Sequence, residues 1–404
     1  MFFQEYADWI CYNEGRFCLI FGGAFLLGFM TILLGILLAV LLVSCWSVCY
    51  IWQGTRLHVI RAGLVLFDVF SAIGLFFSMS LLRGMPGAGM AIQVISIVFM
   101  LQVVLNAFVL LAVGLRCLYR RMLLVPVDQE RRMLLRGAML YPAAAASVGL
   151  YGGLYEREHT VEREYVIPVA GGSSLQGFRA AQLSDVHLGL FYSLDRLREL
   201  LHKAAAGKPD ALLLTGDIFD DDSQNEQAVR LVDSFSAAFP KGIWYCYGNH
   251  EHMRNLKKIK AALAASKIHV LANEAVKVLD GEMPLYFAGA DYPMDRPHFA
   301  EQKRVYAQQT FADIPQGAAV ILLAHHPEFI DDGAEHGAQL TLTGHTHGAQ
   351  IGLFGRPLLP VFKYTRGMVQ KGTSYGYVHS GNGSWFPYRL GCPPEIAYFT
   401  LKGV

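Results

Sequence analysis

Residues 341 to 350 read TLTGHTHGAQ, placing His345 and His347 two apart in a Gly-His-x-His turn after an alternating Thr/Leu run. Such a run followed by glycine is how a buried strand delivers side chains to the rim of a sheet. Two neutral imidazoles converging on one point suit a metal ion, although a pair of surface loop histidines has the same form, so the remaining ligands decide. Four more polar clusters recur: LSDVHLG (183 to 189), TGDIFDDD (215 to 222), GNHEH (248 to 252) and LLAHHPE (322 to 328). Thirteen of the fourteen histidines lie beyond residue 154, and each cluster follows a short apolar run.

Those runs are the elements that must hold the polar residues in place. FRAAQLSD, ALLLTGD and GIWYCYGN read as strands, as do 267 to 280, 285 to 290, 318 to 324, 339 to 343 and 396 to 402. Residues 193 to 206 form an amphipathic helix, and Ser223 with Glu226 has the form of a capping box for the next one. Alternation of strands and helices predicts an α/β domain of two packed sheets, about ten strands, with helices outside. Open α/β sheets place ligand sites at loops beyond the carboxyl ends of their strands.

In order and spacing, D-x-H, G-D-x-x-D, G-N-H-E, H and G-H-x-H resemble the calcineurin-like metallophosphoesterase superfamily, over about 178 to 402. More narrowly, they resemble its membrane-associated bacterial, YkuE-like branch. The resemblance implies an αββα sandwich and two divalent metal ions, manganese, iron or zinc. One ion would be held by Asp185, His187 and His347, the second by Asn249, His325 and His345, with Asp217 bridging both. It implies hydrolysis of a phosphoester or pyrophosphate by a hydroxide between the metals, with His250 as catalytic histidine and Asp220 as the carboxylate that orients it. His252 and His326 adjoin motif residues without matching family ligands. Two departures stand out. Asp221 occupies the place of a phosphate-gripping arginine, against a protein phosphatase, and Ala349 stands where the branch commonly has a second glycine.

The chain of 404 residues, net charge +1 and 53% hydrophobic, divides near residue 154. Before that point charge is sparse, and 17 to 46, 59 to 82, 91 to 115 and 137 to 154 are expected as four transmembrane helices, at about 20 residues per span. The sequence therefore predicts a transmembrane helical domain (1–154), a linker from 155 to 177, and a phosphoesterase domain within 155–404. Arg116, Arg120, Arg121, Arg131, Arg132 and Arg136, with Arg56 and Arg61, mark two cytoplasmic loops. An integral membrane protein with an extracytoplasmic catalytic domain is the expected result. Arg131-Arg132 reads either as a membrane anchor or as a twin-arginine motif, and Asp68 either as a polar pin between helices or as part of a transport path. Only Cys246 and Cys392 are available for a disulfide in the second half.

The expected partners are the lipid bilayer and a phosphorylated substrate; nucleic acid is not expected. IGLFGRPLLPVFKYTRG (351 to 367) either contacts lipid or covers the domain's own core, the first reading favouring a lipid-linked substrate. A soluble nucleotide or phosphodiester is the alternative. A further one is a transporter or sensor with a regulatory phosphoesterase domain.

Overall fold

The computed structural model describes residues 88–123 and 146–404 apart from 354, 359 and 385, together with scattered positions between 42 and 70. The chain forms two compact units, Met1–Tyr155 and Glu156–Val404.

In the first unit, a helix at Ala88–Leu123 carries the third expected span. Its buried positions include Ser96, Gln102 and Asn106 as well as Ile92 and Ile97. Gly153 lies against Ile97 and Gly149 against Leu101, close enough that a Cβ on either glycine would collide with the facing side chain. Among the described residues, no helix is long and apolar enough to cross a membrane. This corrects the expectation of an integral membrane protein with a bundle of four transmembrane helices and an extracytoplasmic catalytic domain. The physical reason is that a helix packed against protein and a helix packed against lipid share one apolar signature in sequence. Apart from scattered positions, the stretches 17 to 46 and 59 to 82 lie outside the described residues, as do Asp68, Arg131, Arg132 and the first part of 137 to 154.

The second unit contains, in chain order, β1 (Val161–Val169), β2 (Arg179–Leu183), β3 (Ala211–Thr215), β4 (Ile243–Cys246), β5 (His269–Val270), β6 (Glu274–Leu279) and β7 (Leu285–Ala290). They are followed by β8 (Ala319–Ala324), β9 (Leu340–Thr343), β10 (Gly352–Leu353), β11 (Arg356–Pro357), β12 (Gly367–Lys371), β13 (Ser374–Val378) and β14 (Glu395–Gly403). One sheet runs β1-β14-β2-β3-β4-β5 and the other β12-β13-β9-β8-β7-β6, while β10 and β11 make a separate hairpin. Pairing is parallel from β2 through β5 and from β7 through β9 to β13.

Strand alternation builds the layers. Ala180, Leu213, Phe287, Leu323, Leu342 and Phe399 meet between the sheets. Leu183, Leu212 and Leu214 face outward onto Leu197, Leu200, Val229 and Ile259, which lie on helices Leu194–Ala206, Asn225–Asp233 and Leu256–Ala264. On the other outer face, Val320 and Leu322 pack with Ala307 and Phe329 of helices Phe299–Phe311 and Phe329–Glu335. This is the αββα sandwich.

Three local expectations change. Residues 155 to 177 are not merely a linker, because β1 pairs with β14 through nine residues, Val161 to Val169. Its outward Glu162 and Glu164 conceal a strand whose Ile167 and Val169 join the inter-sheet core. Residues 267 to 280 divide into β5 and β6, which belong to different sheets. The capping box does not form: Ser223 Oγ donates to Asp221 Oδ1 at 2.6 Å, and helix Asn225–Asp233 begins after Gln224 with no side-chain cap.

Candidate metal centre

Five loops converge beyond the carboxyl ends of β2, β3, β4, β8 and β9, bringing Asp185 and His187, Asp217 and Asp220, Asn249 and His250, His325, and His345 and His347 to one rim. The loops are laced laterally, with Asp185 N donating to Gly216 O (3.0 Å), His187 N to Asp217 O (2.9 Å) and Gly344 N to His325 O (3.0 Å). Asp185, His187, Asp217, His345 and His347 all have positive φ, between 47° and 71°. Left-handed backbone costs a non-glycine residue about 1–2 kcal/mol, and such strain collects where geometry serves a site. Ala349 joins them at φ 64°, accepting the conformation for which glycine is better suited.

Three groups of side-chain donors emerge, Asp185/His187/His347, His187/Asp217/His250 and Asp217/His325/His345, with ligand atoms all within 4.8 Å of one another in each. Asp217 Oδ2 lies 3.1 Å from His325 Nε2 and 3.6 Å from His187 Nε2, so one carboxylate oxygen reaches both halves of the cluster. Nε2 of His187 and His347 are 3.0 Å apart, and His345 Nδ1 is 3.2 Å from His325 Nε2. His325 Nδ1 faces Thr215 O at 2.7 Å and His187 Nδ1 faces Asp220 Oδ2 at 3.2 Å. Each of these Nδ1–H groups thus donates to oxygen and leaves Nε2 turned to the centre, the orientation that metal-ligating histidines use.

Whether the residues suit metal ions is tested by Asn249. Its Oδ1 is buried with no hydrogen-bond partner. An orphan acceptor of this kind costs about 1–3 kcal/mol unless something positive meets it. Mixed imidazole, carboxylate and amide donors suit manganese, iron or zinc better than magnesium. The donor set fits divalent metals.

Charge is finely divided without them. Burial raises the Asp185 carboxyl, with the neighbouring Asp217 adding to the effect. Burial opposes ionisation of Asp217 too, but His325 and His250 outweigh it and hold that carboxyl well below the usual range. Burial depresses His345 and His347, and the neighbouring His325 and His187 respectively push them further down. His325 itself is pushed up to about 10 because Asp217 and Asp185 overcome its burial.

Beside this group, Asp220 Oδ1 accepts from His250 Nδ1 at 3.0 Å and from Arg254 Nε at 2.8 Å. Burial disfavours the Asp220 carboxylate, yet His250 and His187 hold its pKa far below normal. His250 is raised to about 9 against burial by Asp220 and Asp217. His252 turns away to Asp291 Oδ1 at 2.8 Å, and His326 packs edge-on against Phe299. Cys246 and Cys392 are buried and free, so the disulfide does not form.

Two residues escaped the reading of the sequence. Glu251 is wholly buried, and its carboxylate accepts four backbone N–H groups: Gly248 (2.8 Å), Asp217 (2.9 Å), Ile218 (2.7 Å) and Phe219 (3.0 Å). It fastens the Asp217 loop to the Asn249 loop. Its position in Gly-Asn-His-Glu was the available signal. Arg389, also wholly buried, donates to Cys392 O at 2.9 Å and Gly381 O at 3.2 Å and lies 3.5 Å from His347 Nδ1. No local sequence pattern marks it, because its partners are backbone carbonyls and the Ser384 hydroxyl of a loop.

The sequence pattern of the calcineurin-like phosphoesterases matches residues 178–349. Over 297 residues the chain is 31% identical to the uncharacterized metallophosphoesterase YkuE of Bacillus subtilis (strain 168), covering 68% of this chain and 98% of that one. This chain belongs to the calcineurin-like metallophosphoesterases. It is also 28% identical over 236 residues to the phosphodiesterase YaeI of Escherichia coli (strain K12), covering 55% and 82% of the two chains. An uncharacterized metallophosphoesterase of Helicobacter pylori (strain J99 / ATCC 700824) is 28% identical over 225 residues, and the match spans 58% of its length. This metallophosphoesterase is accordingly a hydrolase acting on phosphoester bonds.

The stretch 351 to 367 behaves in two ways in this metallophosphoesterase. Leu353, Leu358 and Val361 are exposed, whereas Phe362 sets its ring 5.2 Å from that of His345. Lys363 Nζ pairs with Asp331 at 2.8 Å and Arg366 Nη1 donates to Gly391 O at 2.8 Å. Phe354 lies outside the described residues.

Proposed function

We propose that this chain hydrolyses phosphodiesters at a centre of two divalent metals, one held by Asp185, His187 and His347, the other by Asn249, His325 and His345, with Asp217 shared. The observation that carries the reading is Asp217 Oδ2 lying between His325 and His187, together with the buried, unpaired Asn249 Oδ1. Metals held there would supply charge neutralisation at the phosphoryl oxygens and activation of water at neutral pH. The chain's own groups do the rest. Asp220 accepts from His250 Nδ1, fixing the ring and favouring its protonated form; the far ring nitrogen is then the donor to the leaving ester oxygen. Arg254, on the same Asp220 oxygen, holds that carboxylate still.

The name of the Escherichia coli relative, a phosphodiesterase, supports a diester over a monoester. A lipid-linked substrate loses its main premise with the membrane anchor, and of the two cations in this stretch Arg366 donates to Gly391 O while Lys363, still largely exposed, pairs with Asp331.

The test compares Asp217→Asn with His250→Ala. Both should lower turnover of bis(p-nitrophenyl) phosphate by about a hundredfold or more. Elemental analysis should find metal depleted in Asp217→Asn and retained in His250→Ala. Equal metal content in both would remove Asp217 from the shared position.

A further inference from the structure

The two flanks of the centre differ in chemistry. Around His187 the neighbours are polar, Asp220 at 3.2 Å and through it His250 and Arg254. Around His345 they are rings. Phe362 lies 5.2 Å from His345 and 5.8 Å from His326, and Tyr292 lies 5.5 Å from His345 and 5.9 Å from both His325 and His326. Phe299 completes the wall, 4.6 Å from His326 and 6.2 Å from Tyr292. The three rings arrive from two stretches, Tyr292 and Phe299 from the segment after β7 and Phe362 from the segment before β12.

Tyr292, Phe299 and Phe362 are all partly exposed, unlike Phe287, Phe329 and Phe399, which are wholly buried in the cores. Leaving aromatic surface in water forgoes about 25 cal/mol per Å², so rings gathered at the rim of a reaction centre call for an occupant. Against the neighbouring histidines the three rings stand tilted or edge-on, at 47° to 76°, and Tyr292 and Phe299 meet at 62°, so that both ring edges and ring faces are presented. Such surfaces take flat π systems in stacked or T-shaped contact, and they do so without regard to the identity of the ring.

We infer that Tyr292, Phe299 and Phe362 form a substrate subsite for a planar aromatic group carried by the phosphoester, adjoining the His325/His345 side of the centre. The inference rests on the phosphodiesterase reading and deepens it. A nucleobase and an aryl ester share this chemistry.

The experiment measures dissociation constants by calorimetry on the full chain loaded with manganese, using phosphonates that cannot be hydrolysed. Phenylphosphonate should bind about tenfold more tightly than methylphosphonate, and more tightly than cyclohexylphosphonate, which has similar bulk without the flat π face. An adenosine 5′-phosphonate binding better than phenylphosphonate identifies a nucleobase as the occupant, and the reverse order identifies an aryl group. In Phe362→Leu the phenyl-to-methyl ratio should fall towards one. Phe299→Leu, on the other segment, gives the same reading if Phe362→Leu does not fold. A ratio near one in the native chain, equal affinity for the phenyl and cyclohexyl ligands, or an undiminished ratio in both folded variants would overturn the inference alone. If no phosphonate binds and no phosphodiester is hydrolysed, the phosphodiesterase reading falls and the subsite falls with it.

Discussion

Replacing Glu251 by glutamine tests the idea that one buried carboxylate builds the loop on which Asp217 stands. In the native chain Oε2 accepts from Gly248 N and Asp217 N while Oε1 accepts from Ile218 N and Phe219 N, and no part of the residue is exposed. Glutamine keeps the shape but has one oxygen. Its NH₂ must face one of the two pairs of N–H groups, donor against donor. Two hydrogen bonds to a charged group are lost at about 1.5–3 kcal/mol each, or about 3–6 kcal/mol together. For a unit of this size about 2–4 °C of Tm accompanies each kcal/mol, so the melting point of the metal-free protein should fall by at least about 6 °C. Asp217 holds φ 55° in that loop and should lose its place, so metal retained after gel filtration should fall as well. Differential scanning calorimetry in chelator and elemental analysis read the two effects. A Tm within about 2 °C of native, equivalent to less than about 1 kcal/mol, together with full metal content, would refute the reasoning.

Further expectations follow the same contacts. A Cβ at Gly248 would collide with Asp217 Oδ1 and lie 2.6 Å from Asp217 N, so Gly248→Ala should deplete bound metal in elemental analysis although no proposed ligand is altered. Burial holds His379 down at about 4, against about 6.5 in an unfolded chain. A depressed folded value means the contribution is fully present above pH 6.5 and is lost as pH falls from there towards 4, at most about 3 kcal/mol. His379→Asn keeps an acceptor for Gly381 N, and the gap between its urea midpoint and the native one should change across that window; a constant gap would refute the assignment. Leu353 and Leu358 are exposed, so changing both to Ser should move Tm by less than about 2 °C, within the usual range for surface sites; a larger drop would show that the hairpin covers a core.

Much of the catalytic unit was legible because its chemistry is local. D-x-H, G-D-x-x-D, G-N-H-E and G-H-x-H each fit within a few residues after an apolar run, and a buried parallel strand can only deliver such residues at its carboxyl end. The sequence alone therefore determined which residue types gather at the rim, their order and the α/β sandwich. It did not reveal β1, because an edge strand with Glu162 and Glu164 facing out lacks the continuous apolar run of a central one. Nor could apolar content alone decide whether Ala88–Leu123 crosses a membrane, since long apolar helices also occur outside membranes. Only the tertiary structure decided what depends on residues far apart in the chain: Arg389 set 3.5 Å from His347, and Phe362 and Tyr292 brought to one side of His345. The physical reason is one of range. Strand periodicity and turn chemistry act over a few residues and leave their mark in sequence, whereas contacts between loops are fixed by how two sheets stack and which segments then meet at the rim.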